Sequence, residues 1–293
     1  MKLVAIFGPT GVGKTGVAIA VAERLREWGE DPVALSCDAI QVYRGLEVLS
    51  GAANEAERER LEHRLLGIVP VNEEFSAGRF AKRAHAEIDS LLAAGRRPIL
   101  VGGTGLYLRA ALAELDLRPP VPETVREEVE RELSERGAPA MHAELPTALA
   151  ASVHPNDAKR IARWTELSRV DLRPESGGEG MWSAAPRVPS LLIGLEMDRD
   201  ALAQRIDDRV EGMAAGAAAE ARAAEAAGIS RTARAALGFD EFLAGDLAGV
   251  KTAHRRYARR QLTWMRRMEG VKLIDRTTLG DETVASDIVS RLG

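Results

Sequence analysis

Residues 8–15 read GPTGVGKT, which fits the phosphate-binding loop pattern GxxxxGK[ST] at every defined position. An apolar run over Lys2–Phe7 precedes the loop and predicts a buried strand, and the pattern over Thr15–Trp28 predicts the helix that follows. In such a unit, backbone N–H groups and the helix N-terminus surround phosphate oxygens. The segment therefore predicts a site for a diphosphate or a triphosphate, with a chance glycine-rich turn as the alternative.

Three further apolar runs predict buried strands of the same sheet, namely Val33–Ser36, Pro98–Val101 and Leu191–Leu195. Helical patterns lie between them, and Ser76 is a candidate N-cap for a helix that runs to Ala94. Strands that alternate with helices in this way indicate an α/β fold. We therefore predict a P-loop NTPase-like core with a mainly parallel sheet.

The alternation stops in residues 117–189, where helical patterns continue without a convincing strand. This region closes with Pro174–Ser190, a segment rich in Gly, Pro and Ser that predicts a flexible connection. We predict a catalytic core made of residues 1–116 and 190–293, which includes a basic C-terminal helix. Residues 117–189 are predicted to form an all-helical inserted subdomain.

The composition of the 293 residues, with 45% hydrophobic and 29% charged, is typical of a soluble globular protein. The N-terminal apolar run is too short for a signal peptide or a membrane span. The single cysteine, Cys37, excludes an internal disulfide and favours a reducing compartment. We therefore expect a soluble cytoplasmic protein that does not bind membranes.

Two polar side chains follow predicted strands at the sheet edge where the phosphate loop begins. Asp38 ends the second strand, and Thr104 lies in the Gly-rich segment after the third strand. Ligands of open α/β sheets bind beyond the carboxyl ends of the strands, so Asp38 is a candidate base for an attacking nucleophile. The alternative for Asp38 is an N-cap of the turn that follows.

The segment Lys251–Arg267 carries seven Lys or Arg residues and no acid, although the chain as a whole has a net charge of −4. On a helix, Arg256, Arg260 and Arg267 fall near one stripe. A second, apolar stripe is made of Ala258, Leu262 and Met265. Such a helix can lie along a nucleic-acid backbone, and the alternative is a solvated charged face.

Six segments together carry a resemblance to a known family: 8–15 (GPTGVGKT), 38–51 (DAIQVYRGLEVLSG), 102–112 (GGTGLYLRAAL), 154–163 (HPNDAKRIAR), 236–245 (ALGFDEFLAG) and 255–267 (RRYARRQLTWMRR). In this order and spacing they resemble the tRNA dimethylallyltransferase (tRNA isopentenyltransferase) family over nearly the whole chain. The resemblance implies transfer of a dimethylallyl group from dimethylallyl diphosphate to N6 of an adenosine beside the anticodon in tRNA.

The resemblance also implies roles for individual residues on the donor side. Asp38 would be the base, Thr104 would orient the amine, and Lys14 would neutralise the departing diphosphate. Mg²⁺ is the expected cofactor, with Thr15 as its ligand. The expected diphosphate-binding residues are Thr10, Gly11, Val12, Gly13, Lys14, Thr15 and Arg209. Arg209 lies one turn after Arg205, and its alternative is a solvent-facing arginine paired with an acid.

On the acceptor side, the anticodon stem-loop is expected to present an unstacked adenine to the cleft. Gln41, three residues after Asp38, would meet the edge of the target base through its amide. The residues that we expect to contact tRNA are Asp38, Ala39, Ile40, Gln41, Thr104, Arg126, Lys159, Arg160, Arg163, Arg256 and Arg260.

Four positions depart from the family pattern, and all bear on acceptor contacts. Ala39 stands where the family usually has Ser, and Arg64 follows His63 where the family has paired histidines. Phe239 and Asp240 follow Gly238 where the family has Gly-Tyr-Lys.

Other functions share parts of these motifs. An adenylate isopentenyltransferase would share the donor site, but a mononucleotide acceptor needs neither the basic helix nor the helical insertion. A P-loop small-molecule kinase would use Asp38 as a base for a hydroxyl, and no adenine-stacking or lid pattern supports it. A non-enzymatic RNA-binding NTPase would leave Asp38 and Thr104 unexplained. We expect a monomer, because no obvious interface pattern appears.

Overall fold

The computed structural model describes residues 1–115, 121–172 and 185–292. The chain divides into two compact units, Met1–Glu114 with Trp182–Gly293, and Leu115–Met181. Residues 174–184 of the predicted flexible connection lie outside the described residues.

The described residues contain eight strands: β1 (Leu3–Phe7), β2 (Pro32–Ser36), β3 (Tyr43–Arg44), β4 (His63–Arg64), β5 (Val69–Pro70), β6 (Arg97–Gly102), β7 (Ser190–Glu196) and β8 (Lys272–Asp275). Six of them form one sheet in the order β4-β2-β6-β1-β7-β8, and every neighbouring pair is parallel. Strands β3 and β5 form a separate parallel pair. The predicted α/β fold with a mainly parallel sheet is therefore confirmed.

The helices of the described residues are α1 (Lys14–Glu27), α2 (Glu47–Ser50), α3 (Glu55–Arg60), α4 (Ala77–Ala93), α5 (Gly105–Leu112), α6 (Glu123–Arg136), α7 (Ala138–His142), α8 (Thr147–Ala150), α9 (Ala158–Arg169), α10 (Arg199–Ala226), α11 (Arg231–Arg234), α12 (Phe239–Ala244), α13 (Leu247–Met265) and α14 (Asp281–Ser290). Helices α6–α9 belong to the smaller unit, and the others belong to the larger unit.

The four predicted strands match β1, β2, β6 and β7 to within one residue at each end. All residues of β1 and β2 are buried, which explains why they read as continuous apolar runs. Strand β8 was not predicted, because it lies at the edge of the sheet and Ile274 is its only buried residue. Its sequence therefore carries no apolar run.

Local capping explains where α4 and α9 begin. The Ser76 hydroxyl accepts a hydrogen bond from the Arg79 N–H at 3.3 Å, so Ser76 is the N-cap of α4 as predicted. The Asp157 side chain is the N-cap of α9 and accepts from the Arg160 N–H at 3.2 Å.

Helix α13 differs from its prediction in two respects. It ends at Met265, so Arg267 lies beyond the helix and does not extend the stripe of Arg256 and Arg260. Its buried face contains Ala258 and Met265 as expected, but it also contains the polar residues His254 and Gln261, and Leu262 is only partly buried. A polar residue on the core side of a helix indicates a specific hydrogen-bonding role.

Strands β2 and β6 approach each other very closely at their carboxyl ends. The Cys37 N–H donates to the Val101 carbonyl at 2.8 Å, and the Cys37 side chain is fully buried. A Cβ added at Gly102 would lie 2.3 Å from the Cys37 carbonyl oxygen. Glycine at position 102 therefore lets the segments that carry Asp38 and Thr104 lie side by side.

The smaller unit has a hydrophobic core of its own. Its buried members are Val129, Met141, Leu145, Leu149, Val153 and Ile161. Trp164 is partly buried and packs against this cluster.

Within the described residues, no helix is both long and apolar enough to cross a membrane.

We expect Gly102→Ala to lower the free energy of unfolding by about 1–3 kcal/mol, because the added methyl meets backbone that cannot rotate away. Gly212, on the exposed face of α10, is the matched control, since a Cβ there has nothing within 4 Å. Gly212→Ala should be neutral or stabilising by up to about 1 kcal/mol. Urea denaturation measures both, and equal stabilities of the two variants would contradict the close approach.

Candidate active site

The phosphate loop between β1 and α1 adopts the conformation that its glycines allow. Gly11 and Gly13 have φ of +82° and +87°, a region that residues with a side chain rarely adopt. The Lys14 ammonium donates to the carbonyls of Gly8 at 3.0 Å and Pro9 at 2.9 Å, so it lies folded back over the loop. The loop is therefore an anion cradle with the Lys14 amine already folded over it.

Three side chains from distant parts of the chain hold this loop from outside. Arg205 of α10 donates from Nε to the Gly11 carbonyl at 3.0 Å. Arg276, directly after β8, donates to the Gly13 carbonyl at 3.0 Å and pairs with Asp281 at 2.7 Å.

The third is Gln261 of α13, whose Oε1 accepts the Thr10 N–H at 2.8 Å. The Thr10 amide is therefore committed to Gln261, although Thr10 is one of the predicted diphosphate-binding residues. Sequence reasoning missed Gln261 and Arg276. The only signal for Gln261 was a polar residue inside the expected apolar stripe of α13.

Lys14 lies in an electrostatic environment that disfavours its charge. Burial and the neighbouring Arg209 guanidinium lower the pKa of Lys14 to about 7, and Asp38 opposes this shift. The single charge of Asp38 does not balance those of Lys14 and Arg209 together. An anionic ligand bound beside Lys14 and Arg209 would therefore stabilise their charged forms. This electrostatic pattern fits a diphosphate bound between Lys14 and Arg209.

Arg209 is not the exposed, ion-paired arginine that was its alternative. It is partly buried, makes no ion pair within the described part of the chain, and donates to the Ser50 carbonyl at 3.2 Å. Burial lowers the pKa of Arg209, against the opposing charges of Asp38 and Glu57. Gly51 has a φ of +59°, which favours glycine, and a side chain at this position would also have to displace the Arg209 guanidinium.

Asp38 uses its two carboxylate oxygens differently. Oδ1 accepts the N–H groups of Ile40 at 2.9 Å and Gln41 at 3.4 Å, so Asp38 does cap the following turn. Oδ2 accepts the Thr104 hydroxyl at 3.2 Å, and the Ala39 N–H donates to the same hydroxyl at 3.3 Å. The capping role therefore fixes the carboxylate and leaves one oxygen beside Thr104.

Tyr257 of α13 completes this polar group, because its hydroxyl lies 3.5 Å from the Thr104 Oγ1. Burial and the nearby Asp38 charge raise the pKa of Tyr257 to about 12, so it stays a neutral phenol at physiological pH. The chain of contacts Asp38–Thr104–Tyr257 forms a polar surface beside the phosphate loop.

The amide of Gln41 is engaged within the protein. Its Oε1 accepts the Ser36 hydroxyl at 2.7 Å, and its Nε2 donates to the Gly51 carbonyl at 3.3 Å. An amide has one further proton and one further lone pair with which it can meet a base.

Thr15 lies in the first turn of α1, and its hydroxyl has no hydrogen-bond partner among the described residues. The same residues contain no group of three or more His, Cys, Asp or Glu side chains that could hold a metal ion. Mg²⁺ commonly binds with one or two protein ligands while phosphate oxygens and water complete its shell. The residues present fit Mg²⁺ held by a bound diphosphate together with Thr15.

The glycines after β6 make room for α13. A Cβ at Gly103 would lie 2.2 Å from Nε2 of Gln261, and one at Gly105 would lie 2.7 Å from the Trp264 ring. Trp264 also stacks on Phe7, with ring centroids 5.8 Å apart. The motif GGTG therefore permits close packing of α13 as well as exposing Thr104.

The basic residues of α13 divide into paired and unpaired groups. Lys251 pairs with Glu211, and Arg255 pairs with Asp207 at 2.9 Å. Arg256 and Arg259 are exposed and have no acidic partner among the described residues. Arg260 is also exposed and lies over the Tyr257 ring at 5.5 Å. The unpaired arginines, including the predicted Arg256 and Arg260, form an open basic surface.

In the smaller unit, the predicted tRNA-binding residues differ in exposure and pairing. Lys159 and Arg160 are exposed at the start of α9, and Arg160 lies 3.6 Å from the Asp157 carboxylate. Arg163 pairs with Glu166 at 2.9 Å. The Arg126 side chain is only 15% exposed and pairs with Glu123 at 3.0 Å, so it is less accessible than the others.

The departures from the family pattern have local explanations. Asp240 pairs with Arg234 at 2.9 Å on the surface, and Phe239 is buried. Arg64 pairs with Glu62 at 2.7 Å and Glu87 at 2.9 Å. Ala39 contributes to the site through its N–H, which does not depend on the side chain.

The fold and the site define an α/β P-loop protein in which an anion cradle, a carboxylate and a hydroxyl meet at one sheet edge, as expected for a group-transfer enzyme. The family model described as IPP transferase matches residues 41–268. The chain is 39% identical to the tRNA dimethylallyltransferase of Anaeromyxobacter dehalogenans, over 92% of this chain and 94% of that protein. It is 36% identical to that of Salinispora arenicola, over 93% and 82%.

Solved structures agree with these relatives. The full-length tRNA isopentenylpyrophosphate transferase of Bacillus halodurans superposes with a TM-score of 0.71 at 32% identity, over 100% of this chain and 96% of that one. The corresponding Staphylococcus epidermidis enzyme has a TM-score of 0.69 at 27% identity, over 100% and 99%. The chain belongs to the IPP transferase family, that is, to the tRNA dimethylallyltransferases.

We expect binding of inorganic diphosphate at pH 8 to take up about one proton at Lys14, because a pKa of about 7 leaves this amine mainly neutral until an anion binds beside it. Calorimetry in buffers of different ionisation enthalpy measures the uptake. Lys14→Arg is the control, since arginine stays protonated throughout. Equal proton uptake by both proteins would contradict the lowered pKa.

Proposed function

We propose that this enzyme transfers the dimethylallyl group of dimethylallyl diphosphate to N6 of an adenosine beside the anticodon of tRNA and releases diphosphate. The observation that carries the proposal is the Asp38–Thr104 pair, whose contact of 3.2 Å lies beside the cationic phosphate loop. The acceptor amine needs the Asp38–Thr104 pair and the diphosphate of the donor needs the phosphate loop, and the transfer requires these two places to be adjacent. The names of the relatives support tRNA as the acceptor.

The acceptor amine is a weak nucleophile, because its lone pair is delocalised into the adenine ring. Asp38 Oδ2 accepts an N6 proton as the new N6–C1 bond forms, and Thr104 orients the amine through its hydroxyl. Oδ1 stays bound to the N–H groups of Ile40 and Gln41, so the carboxylate keeps its direction during the proton transfer.

The donor side stabilises the leaving group. As the C1–O bond of dimethylallyl diphosphate breaks, negative charge develops on the diphosphate, and Lys14, Arg209 and the loop N–H groups stabilise it. Mg²⁺, with Thr15 as a ligand, supplies further neutralisation of the phosphate oxygens when it is bound. Val12 and Gly13 contribute backbone N–H groups to the same cradle.

The exposed arginines of α13 supply a sequence-independent attraction for the RNA backbone. Arg256, Arg259 and Arg260 have no acidic partner among the described residues, so their charge is available to phosphates. Lys159 and Arg160 of the smaller unit are exposed as well and are proposed to contact the anticodon stem-loop.

One copy of the chain supplies every residue assigned to the reaction, which supports a monomeric enzyme. The proposed acceptor is tRNA, which is abundant in the cytoplasm, and this supports a cytoplasmic location for the enzyme. Sedimentation equilibrium with and without tRNA tests the monomer.

The direct test of the function incubates the purified protein with Mg²⁺, dimethylallyl diphosphate and either unmodified tRNA or AMP, followed by nucleoside mass spectrometry. A prenyl mass gain on an adenosine beside the anticodon, with AMP unchanged, is expected. A gain on AMP alone would identify a free-nucleotide prenyltransferase instead. Hydrolysis of ATP without any prenyl transfer would contradict the proposal.

We expect Asp38→Asn to reduce kcat by about 10²- to 10⁴-fold, the usual contribution of a general base, while tRNA affinity stays nearly unchanged. Single-turnover kinetics and a filter-binding assay separate the two effects. Asp287→Asn is the control and should keep the wild-type rate, because Asp287 is a partly buried acid of α14 that pairs with Arg291 and has no assigned role in the reaction. A wild-type rate for Asp38→Asn would rule out the base assignment.

Replacing Arg256 and Arg259 together by Gln should weaken tRNA binding and lower the slope of log affinity against log salt by about 2, one unit per lost phosphate contact. Affinity measured at several salt concentrations checks this. Arg291→Gln removes an arginine that pairs with Asp287 on α14 and should leave the slope unchanged. The basic surface would have no role in RNA binding if both proteins gave the wild-type slope.

A further inference from the structure

Gln261 connects the loop that follows β1 with the loop that follows β6. Its Oε1 accepts the Thr10 N–H of the phosphate loop at 2.8 Å, and its Nε2 donates to the Gly103 carbonyl at 2.7 Å. Gly103 directly precedes Thr104. One side chain therefore bonds both the loop that would hold the donor and the loop that carries the hydroxyl beside Asp38.

The surroundings of Gln261 favour this pair of hydrogen bonds. The residue is only 2% exposed, and a Cβ at Gly103 would collide with its Nε2. Among the uncharged side chains of this length, only glutamine offers an acceptor and a donor on one planar group. An apolar residue of similar size would leave the Thr10 N–H and the Gly103 carbonyl without partners in a buried place.

We propose that Gln261 is a positioning residue that sets the spacing between the phosphate loop and Thr104, and thereby between the two reacting atoms. The inference rests on the proposed transfer reaction, because only a reaction between two separately held substrates depends on this spacing. The amide oxygen and nitrogen of Gln261 are both engaged by the protein, so the residue is assigned no direct contact with either substrate.

The chemistry makes this spacing important. Attack of N6 on C1 requires the two atoms to meet in a near-attack arrangement, and a misplacement of about 1 Å can cost about 100-fold in rate. Each substrate would still find its own half of the site when Gln261 is lost. A positioning role therefore predicts a loss in kcat with little change in either KM.

The first experiment compares Gln261→Met with the wild-type enzyme. We expect kcat to fall by about 10- to 100-fold, with the KM values for dimethylallyl diphosphate and tRNA within about 3-fold of wild type. Gln204→Met is the matched control, because the Gln204 side chain is exposed on α10 and, among the described residues, bonds Asp208 alone. Unchanged kcat in Gln261→Met would overturn the inference.

Active-site titration and thermal melting exclude a merely structural effect. If Gln261→Met lost activity only because part of the sample was unfolded, kcat per active site would equal the wild-type value, and that result would also overturn the inference. A positioning role keeps the active fraction near that of wild type and lowers the rate of each active molecule.

Gln261→Glu can be compared in two protonation states, and its protonated form is expected to restore the bond to Gly103. Its protonated carboxyl can still accept from Thr10 and donate to Gly103, whereas its carboxylate cannot donate. The ratio of its kcat to that of the wild type should therefore fall as pH rises through the pKa of the introduced carboxyl. A ratio that does not depend on pH would contradict the need for the bond to Gly103.

Amide hydrogen exchange tests the inference independently of catalysis. The Thr10 amide should exchange faster in Gln261→Met than in the wild type, and the control Gln204→Met should show no change. Absence of prenyl transfer by the wild-type enzyme would contradict the proposed function. Unchanged exchange at Thr10 would instead contradict the role of Gln261, so the two failures are distinguishable.

Discussion

Strands β2, β6 and β1 lie side by side in one parallel sheet, and their carboxyl ends therefore open onto the same edge. Each of these ends carries one chemical component: Asp38 follows β2, Thr104 follows β6, and the phosphate loop follows β1. The contact of Gly102 with the Cys37 carbonyl leaves no room for a side chain, so the first two components can touch. Carboxylate, hydroxyl and anion cradle become one site because of this packing.

Helix α13 adds a second layer to this edge. Its inner face presents Tyr257, Gln261 and Trp264 to the loops after β1 and β6, through hydrogen bonds and ring contacts. Its outer face exposes Arg256 and Arg259. The same element that would attract the RNA backbone therefore also contacts both loops, so the proposed function assigns acceptor binding and the spacing of the loops to one helix.

Much of the fold could be predicted because β1, β2, β6 and β7 are buried on both faces and read as apolar runs. The phosphate loop, Asp38 and Thr104 follow from strand ends and local motifs. The bond of Gln261 to Thr10 spans 251 positions, and no local pattern encodes such a contact. The lowered pKa of Lys14 likewise depends on burial and then on Arg209, which comes from a distant helix, and neither can be read from the local motif.

The most direct measurement is a crystal structure of the enzyme with an anticodon stem-loop and a non-reactive analogue of dimethylallyl diphosphate. The site predicts an adenine N6 at about 3 Å from Asp38 Oδ2, within hydrogen-bond reach of the base. It also predicts the diphosphate in the loop, in contact with Lys14. An adenine bound away from Asp38, or a diphosphate bound outside the loop, would contradict the assignment of these residues.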